Sequence, residues 1–384
     1  MTRPFSFATV RLLLGMGLAL IFLQSLLDGR FHYFQVKPDA SPFAVGLQFL
    51  AEHNGVTWIL LLSILMAFGL AVGLARRWAA LWLWMAWLAF FDATPIWRDT
   101  DRILVTWLLL LFVLVPSGEP QIRHWNALPS WKVAPLFPFL STFIFLASQW
   151  GLSLVLLQGE SALRIDHFWT ELALAPGWVQ FLANLLPKAG LSSLIGWAPG
   201  LLFVVALLYF PMRTRKWALF GILFFHMARW LAGLALFPLG SLLLVWSLWP
   251  VASQEKHKIV VFFDGVCGIC NRFVQFLLAE DLSGHIKMAP LQGKTAQRKL
   301  GERAEALETV IVQVDERFLE RSDAALFLAK SLGGGWAWFS LLRFLPRGFR
   351  DFCYKLVAAN RYRILKPAET CPIPSPEQRT RFLA

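Results

Sequence analysis

Two patterns of apolar and polar positions divide the chain. Over the first 250 residues apolar positions come in long runs, many approaching the roughly 20 residues that a helix needs to cross a bilayer. These runs predict spans over Thr9–Leu27, Val56–Ala75, Trp78–Phe91, Ile103–Val115, Pro138–Leu157, Leu191–Phe210, Trp217–Leu234 and a short Leu239–Trp249. Several are short, so the reading is seven or eight spans. The run after Arg3 and Arg11 has no small-x-small cleavage site before Asp28 and reads as a retained first span.

From about residue 251 the runs shorten and change period. Ile259–Phe263 is continuous, β-branched and aromatic, the pattern of a strand covered on both faces. Gly265 permits a tight turn. From Gly268 to about Asp281, the residues Phe273, Phe276, Leu277 and Glu280 follow helical spacing. A strand over Ile286–Pro290, a helix over Lys294–Ala306, strands over Thr309–Asp315 and Arg317–Glu320, and a helix over Asp323–Leu332 capped by Ser322 complete the order. The expected architecture is a multi-span α-helical membrane domain over residues 1–250, an α/β domain over 251–366 and a Pro-rich tail over 367–384.

Composition sharpens this division. The chain is 57% hydrophobic and 16% charged, against about 45–50% and about 25% in an average soluble domain. The part from Val251 onward has normal charge density, with 20 Lys and Arg against 14 Asp and Glu. A net charge of +12 suits anionic lipid. No interleaved basic and aromatic motif argues for nucleic acid. Loop charges set an orientation, because Lys and Arg in short loops stay cytoplasmic. Arg76, Arg77, Arg123, Lys132, Arg213, Arg215 and Lys216 fall in one set of loops and nine acids from Asp28 to Glu171 in the other. Eight spans would then place both termini in the cytoplasm. If the last run does not cross, the C-terminal domain lies outside. Most of the 19 tryptophans fit interfacial belts.

The candidate chemistry lies in "VVFFDGVCGIC". Cys267 and Cys270 are two residues apart at a strand-to-helix junction. The positive end of a helix stabilises a thiolate. Cys267 at that end is therefore the expected nucleophile, and Cys270, one turn on, the resolving thiol. Asp264 is placed to accept a proton from the resolving thiol or to cap the turn. The pair alone would also suit half a zinc site, which needs two more ligands, or a structural pair. Cys353 is expected to pack in the interior and Cys371 to lie exposed in "CPIPSP".

Three ionisable residues lie at predicted membrane depth. His226 and Arg229 are three apart, on one helix face. They read either as a substrate or cofactor site, with His226 exchanging a proton and Arg229 holding an anionic oxygen, or as a packing hydrogen bond and a snorkelling side chain. Arg11 is near the cytoplasmic end of its span and is expected to snorkel. Near the C-terminus, Arg343–Lys366 holds seven bases and one acid, Asp351, interleaved with Phe344, Phe349, Phe352, Tyr354, Leu356 and Val357. That is the pattern of a helix lying on an anionic leaflet.

Two family likenesses follow from these stretches. "GLAVGLARRWAALWLWMAWLAFFDATPIWRDTDRILVTWLLLLFVLVPSGE" and "LLYFPMRTRKWALFGILFFHMARWLAGLALFPLG" resemble the HTTM membrane domain, shared with vitamin K-dependent gamma-carboxylases. That resemblance implies a quinone-like ligand in the membrane domain. Carboxylases of that family carry a reactive lysine where "FIFLASQWGLSLVLL" has none, which argues against carboxylation. "FFDGVCGIC", "RSDAALFLAKSLGG" and "LPRGFRDFCYKLVAANRYRIL" resemble the DCC family of thiol-disulfide oxidoreductases, whose Asp-Cys-Cys signature falls on Asp264, Cys267 and Cys270.

The order of elements is similar to thioredoxin-like folds, nearest to glutaredoxin. Glu308-Thr309-Val310 stands where thioredoxin carries a proline. In glutaredoxin-like folds the start of the last helix binds the carboxylate of glutathione, a place that Ser322 and Asp323 occupy here. An ordinary helix cap is the competing reading.

The resulting expectation is a multi-pass membrane thiol-disulfide oxidoreductase that uses a redox-active Cys267/Cys270 disulfide. Its partners would be cellular thiols (thioredoxin or glutathione) or a protein dithiol, with electrons passing to a ligand near His226 and Arg229. The alternative is a membrane maturation or transport-assisting factor for a peptide or lipid, with a regulatory or structural dithiol domain.

Overall fold

In the computed structural model the described residues are 3–27, 55–93, 100–121, 131, 133–158, 200–211, 213–231, 238–249, 258–281, 283–301, 310–364 and 376–383. The chain forms two compact units. One comprises Met1–Thr2, Ala8–Ser117 and Val133–Trp249; the other comprises Arg3–Phe7, Gly118–Lys132 and Pro250–Ala384.

The helices of the first half are α1 (Pro4–Leu27), α2 (Gly55–Val72), α3 (Arg76–Ala93), α4 (Thr100–Leu114), α5 (Leu136–Gln158), α6 (Arg215–Leu231) and α7 (Leu239–Leu248). Residues 200–207 are also helical. The expectation for residues 191–199 lies outside the described residues. Among the described residues, Pro4–Leu27, Gly55–Val72 and Leu136–Ser153 are long and apolar enough to cross a membrane.

Their outward sides are as apolar as their inward sides. Trp58, Leu61, Leu65 and Phe68 of α2 are exposed while Leu60, Ala67, Leu70 and Ala71 are buried. A helix solvated by lipid gains nothing from an outer polar face. Small residues bring the helices close: a Cβ on Gly15 would meet the Ala67 carbonyl oxygen at 2.6 Å. The buried Asp101 carboxylate accepts from the N–H groups of Gly240 and Ser241, each at 2.7 Å, and so caps α7 from another helix. Tryptophan N–H groups also find internal partners: Trp82 donates to the Ser63 hydroxyl at 3.1 Å and Trp107 to Ser141 at 3.0 Å.

Arg11 departs from its expected snorkelling. It is only 3% exposed, with its guanidinium packed against Gly73, where a Cβ would lie 2.9 Å from it. Gly73 has φ +85°, which a side chain would strain.

The second unit contains β1 (Ile259–Phe263), α8 (Gly268–Glu280), β2 (Ile286–Pro290), α9 (Lys294–Leu300), β3 (Ile311–Val314), β4 (Arg317–Glu320) and α10 (Arg321–Leu332). A 3-10 segment (Gly334–Phe344), α11 (Arg347–Ala359), α12 (Arg361–Ile364) and α13 (Pro376–Arg379) follow. The sheet runs β2-β1-β3-β4, with β1 and β2 parallel and the other pairs antiparallel.

The unbroken apolar run of β1 now has its reason. Ile259, Val261 and Phe263 face a core with Val274 and Leu277 of α8 and Leu328 of α10. Val260 and Phe262 face a second core with Ala296 and Leu300 of α9. Alternating side chains both meet protein, so no polar position is left.

The β2 edge is covered by the C-terminal residues. The Met288 N–H donates to the Arg381 carbonyl, and Leu383 returns a bond to Met288, both at 2.8 Å. Arg381 then pairs with the buried Asp281 at 2.6 Å. Glu280 is fully buried and accepts from the N–H groups of Phe5 and Ser6 at 2.8 and 3.3 Å, the Ser6 hydroxyl at 2.8 Å and the Trp336 indole at 2.6 Å. The carboxylate thereby satisfies free N–H groups of the first helical turn.

Candidate functional site

The turn after β1 is held from within. One Asp264 oxygen accepts from the Val266 N–H at 3.1 Å and the Gln292 amide at 2.9 Å. Gln292 in return accepts from the Gly265 N–H at 3.2 Å. Asn271 reaches back from α8 to the Gly265 carbonyl at 3.0 Å. These bonds deliver Cys267 to the N-cap of α8 in extended conformation, with its Sγ accepting from the Cys270 N–H at 3.3 Å.

Both thiols are free and buried. The Cys270 thiol donates to Cys267, and this bond, with the Cys270 N–H and the charge of Arg361, lowers the Cys267 thiol from 9.0 to about 6. Burial and the negative charge of Asp264 oppose that shift. The same thiol–thiol bond and burial push Cys270 up. The pair is therefore asymmetric, one sulfur poised as thiolate and the other as its proton donor.

The sulfurs line a cavity of about 240 Å³. Ile269, Phe273, Val310 and Leu328 make it apolar, while Asp264, Arg321 and Arg361 bring charge to it. The second Asp264 oxygen lies 3.9 Å from the Arg361 guanidinium. Arg321 starts α10 with φ 53°, a left-handed conformation that costs a bulky side chain energy. Tyr354, Val357 and Ala358 of α11 also line the cavity. The Tyr354 hydroxyl accepts from the Val310 N–H at 3.1 Å.

The expected residues divide between two places. Asp264, Cys267 and Cys270 converge in the cavity. Ser322 and Asp323 lie at the start of α10, which begins at Arg321 with Glu320 as N-cap, two residues before the expected start. Ser322 is thus inside the helix rather than its cap. Its hydroxyl donates to Asp351 at 2.5 Å, and Arg350 reaches Asp323 at 2.8 Å. The Ser322 bond and the neighbouring arginines hold Asp351 below the usual carboxylate range. A carboxylate of the chain itself thus stands at this helix start.

His226 is 1% exposed in the other unit, 2.7 Å from the Gln149 side-chain oxygen. Arg229 follows on the same helix, and its side chain lies outside the described residues. Among the described residues no group of three or more His, Cys, Asp or Glu is placed to hold a metal ion.

Sequence reasoning missed Gln292, Asn271, Arg321, Tyr354 and Arg361 as neighbours of the dithiol. Arg321, Tyr354 and Arg361 lie in the stretches "RSDAALFLAKSLGG" and "LPRGFRDFCYKLVAANRYRIL" that carry the family resemblance, which was the signal for them; Gln292 and Asn271 had none. Cys353, expected in the interior, is exposed on α11. The inner edge of that helix is already taken by Arg350, Asp351 and Tyr354.

The chain matches the DCC1-like thiol-disulfide oxidoreductase family over residues 261–367. It is 33% identical over 136 residues to the uncharacterized protein YuxK of Bacillus subtilis, covering 35% of this chain and 99% of that protein. It is 28% identical over 124 residues to the chloroplastic DCC family protein At1g52590 of Arabidopsis thaliana, covering 31% of this chain and 72% of that protein. No solved structure matches the chain.

Proposed function

The C-terminal domain belongs to the DCC1-like thiol-disulfide oxidoreductase family, and on that premise we propose that the chain is a membrane-anchored thiol-disulfide oxidoreductase working through Cys267 and Cys270. The observation that carries this reading is the Cys267 sulfur at a helix N-cap, receiving the Cys270 N–H inside a cavity. The β2-β1-β3-β4 order supports a thioredoxin-like frame for it.

In the forward direction the Cys267 thiolate attacks one sulfur of a substrate disulfide. A mixed disulfide forms and the other substrate sulfur leaves as thiolate. Cys270 gives its proton to that leaving thiolate and attacks the Cys267 sulfur. This releases the second substrate sulfur as a thiolate, which takes up a proton from water, and closes the Cys267–Cys270 disulfide. Two electrons pass from the protein dithiol to the substrate. Cellular thiols, from thioredoxin or glutathione, or a protein dithiol then restore the pair.

Asp264 and Gln292 hold the turn, and Arg361 favours the thiolate. The domain faces the cytoplasm on the loop charges of a multi-pass, HTTM-type membrane part. His226 is engaged by Gln149, so no electron step is routed through it or through a quinone-like ligand.

The full-length protein in nanodiscs, given a fluorogenic disulfide and a thiol reductant, tests this. Turnover should vanish in Cys267→Ser, and Cys270→Ser should accumulate a mixed disulfide visible by mass spectrometry. Turnover that survives Cys267→Ser would overturn it.

A further inference from the structure

The outer surface around α11 is unlike the rest of its domain. Among the described residues, most of the domain's exposed large apolar side chains fall between Phe339 and Val357, and only Val266 and Phe318 lie elsewhere. No residue of α11 is buried. Phe349, Phe352 and Leu356 follow a spacing that makes one stripe along the helix. Phe349, Phe352 and Leu356 are 57%, 63% and 58% exposed, and Phe344 just before them is 75% exposed.

The other edge of the helix is pinned to the domain. Arg350 and Asp351 hold Ser322 and Asp323, and Tyr354 holds Val310. The stripe therefore faces outward by construction.

Its surroundings are cationic. Arg343, Lys355 and Arg363 are exposed, while Asp351, the sole acid between Arg343 and Ile364, is bound to Ser322 and pairs with Arg347 at 3.6 Å, and Arg347 also meets Asp323 at 3.3 Å. An apolar stripe flanked by the exposed cations of Arg343, Lys355 and Arg363 complements an anionic lipid surface, with rings in the interface and cations at the headgroups. A second copy of this domain would bring like charges together. The chain also carries helices fit to cross a bilayer, which would keep a lipid surface at high effective concentration.

We propose that the 3-10 segment and α11 form a docking surface for an anionic bilayer. This assignment stands independently of the dithiol chemistry. Because Val357 and Ala358 line the cavity, docking brings the rim of the dithiol cavity to the lipid boundary.

Cys353 supplies a native reporter on the exposed side of α11. The full-length chain carrying Cys267→Ser, Cys270→Ser and Cys371→Ser is labelled at Cys353 with an environment-sensitive fluorophore. It is then reconstituted in nanodiscs of phosphatidylcholine, with or without phosphatidylglycerol and with doxyl-labelled lipid as quencher. Docking predicts blue-shifted emission and several-fold quenching in the anionic nanodiscs. The quenching should weaken in pure phosphatidylcholine, at high salt, and when Arg343→Gln, Lys355→Gln and Arg363→Gln are combined.

These substitutions are at exposed positions, so loss of quenching would not report misfolding. Water-like emission unquenched in both nanodiscs overturns the proposal. So does blue-shifted emission that lipid does not quench, the result of a face covered by protein. Equal quenching with and without the anionic lipid overturns the assignment to an anionic surface.

Discussion

The backbone N–H of Cys270 points at the sulfur of Cys267 from 3.3 Å, so one residue of the dithiol tunes the other. The hydrogen bond from the Cys270 thiol first, then this N–H, bring the Cys267 thiol down to about 6, and the same thiol–thiol bond with burial holds the proton on Cys270. Alkylation of Cys267 by a small reagent, followed by peptide mass spectrometry, should rise through pH 6 and level off before pH 8. Cys270 should stay unmodified over that range. Stability follows the same sign. The folded state holds the Cys267 thiolate more tightly than the unfolded chain, so the reduced protein gains stability as pH rises from about 6 toward 9.0 and loses it as pH falls through about 6. A Cys267→Ser variant should lose this pH dependence in a chemical denaturation series.

Arg361 contributes to the thiolate through its charge, with Asp264 between them as a partial counterweight. Arg361→Gln should shift the alkylation profile of Cys267 to higher pH and slow disulfide exchange near pH 6.5. The profile of Arg361→Lys should lie between the two, because it keeps charge without the planar fork.

Removing the Tyr354 hydroxyl leaves the Val310 N–H without its acceptor. Tyr354→Phe should cost about 1 kcal/mol of stability. Hydrogen exchange read at the Val310 amide should speed up, while amides of β1 stay protected.

Asp101 caps α7 with both oxygens in a buried setting. Asp101→Ala should destabilise the detergent-solubilised protein by about 2 kcal/mol, read as a lower thermal midpoint. Asp101→Asn should retain part of the loss, since one oxygen still accepts.

Arg381 pairs with the buried Asp281 at 2.6 Å, and the charge of Arg3 acts on the same carboxylate. Arg381→Ala removes the ion-pair partner of that carboxylate at the β2 edge and should cost about 3 kcal/mol, measured by urea unfolding followed through tryptophan fluorescence.

The architecture was legible where the chain repeats one physical demand. Apolar runs marked the helices of the first unit. The unbroken β1 run and the Gly265 turn located the dithiol at the N-cap of α8. What was not legible arises from contacts between distant positions. Gln292 becomes part of the Asp264 turn only because β2 lies parallel to β1. Arg11 looks like a snorkelling residue until Gly73 makes room for it. Cys353 reads as interior by its type, yet the inner edge of α11 is set by the polar pairs at 350, 351 and 354. Arg321 carries no local mark of its left-handed backbone, which β4 and α10 impose from either side.

Glu280 and Ser6 are 274 positions apart. A ribosome releases the N-terminal turn of the chain long before it makes the carboxylate that satisfies it. At about 5–20 residues per second, that turn must wait on the order of a quarter of a minute or more, its donors met by water or by headgroups. Completion of the dithiol domain is then also the event that finishes the first helix. A chain halted between residues 27 and 280 has the run of the first span and lacks the partner of its opening turn.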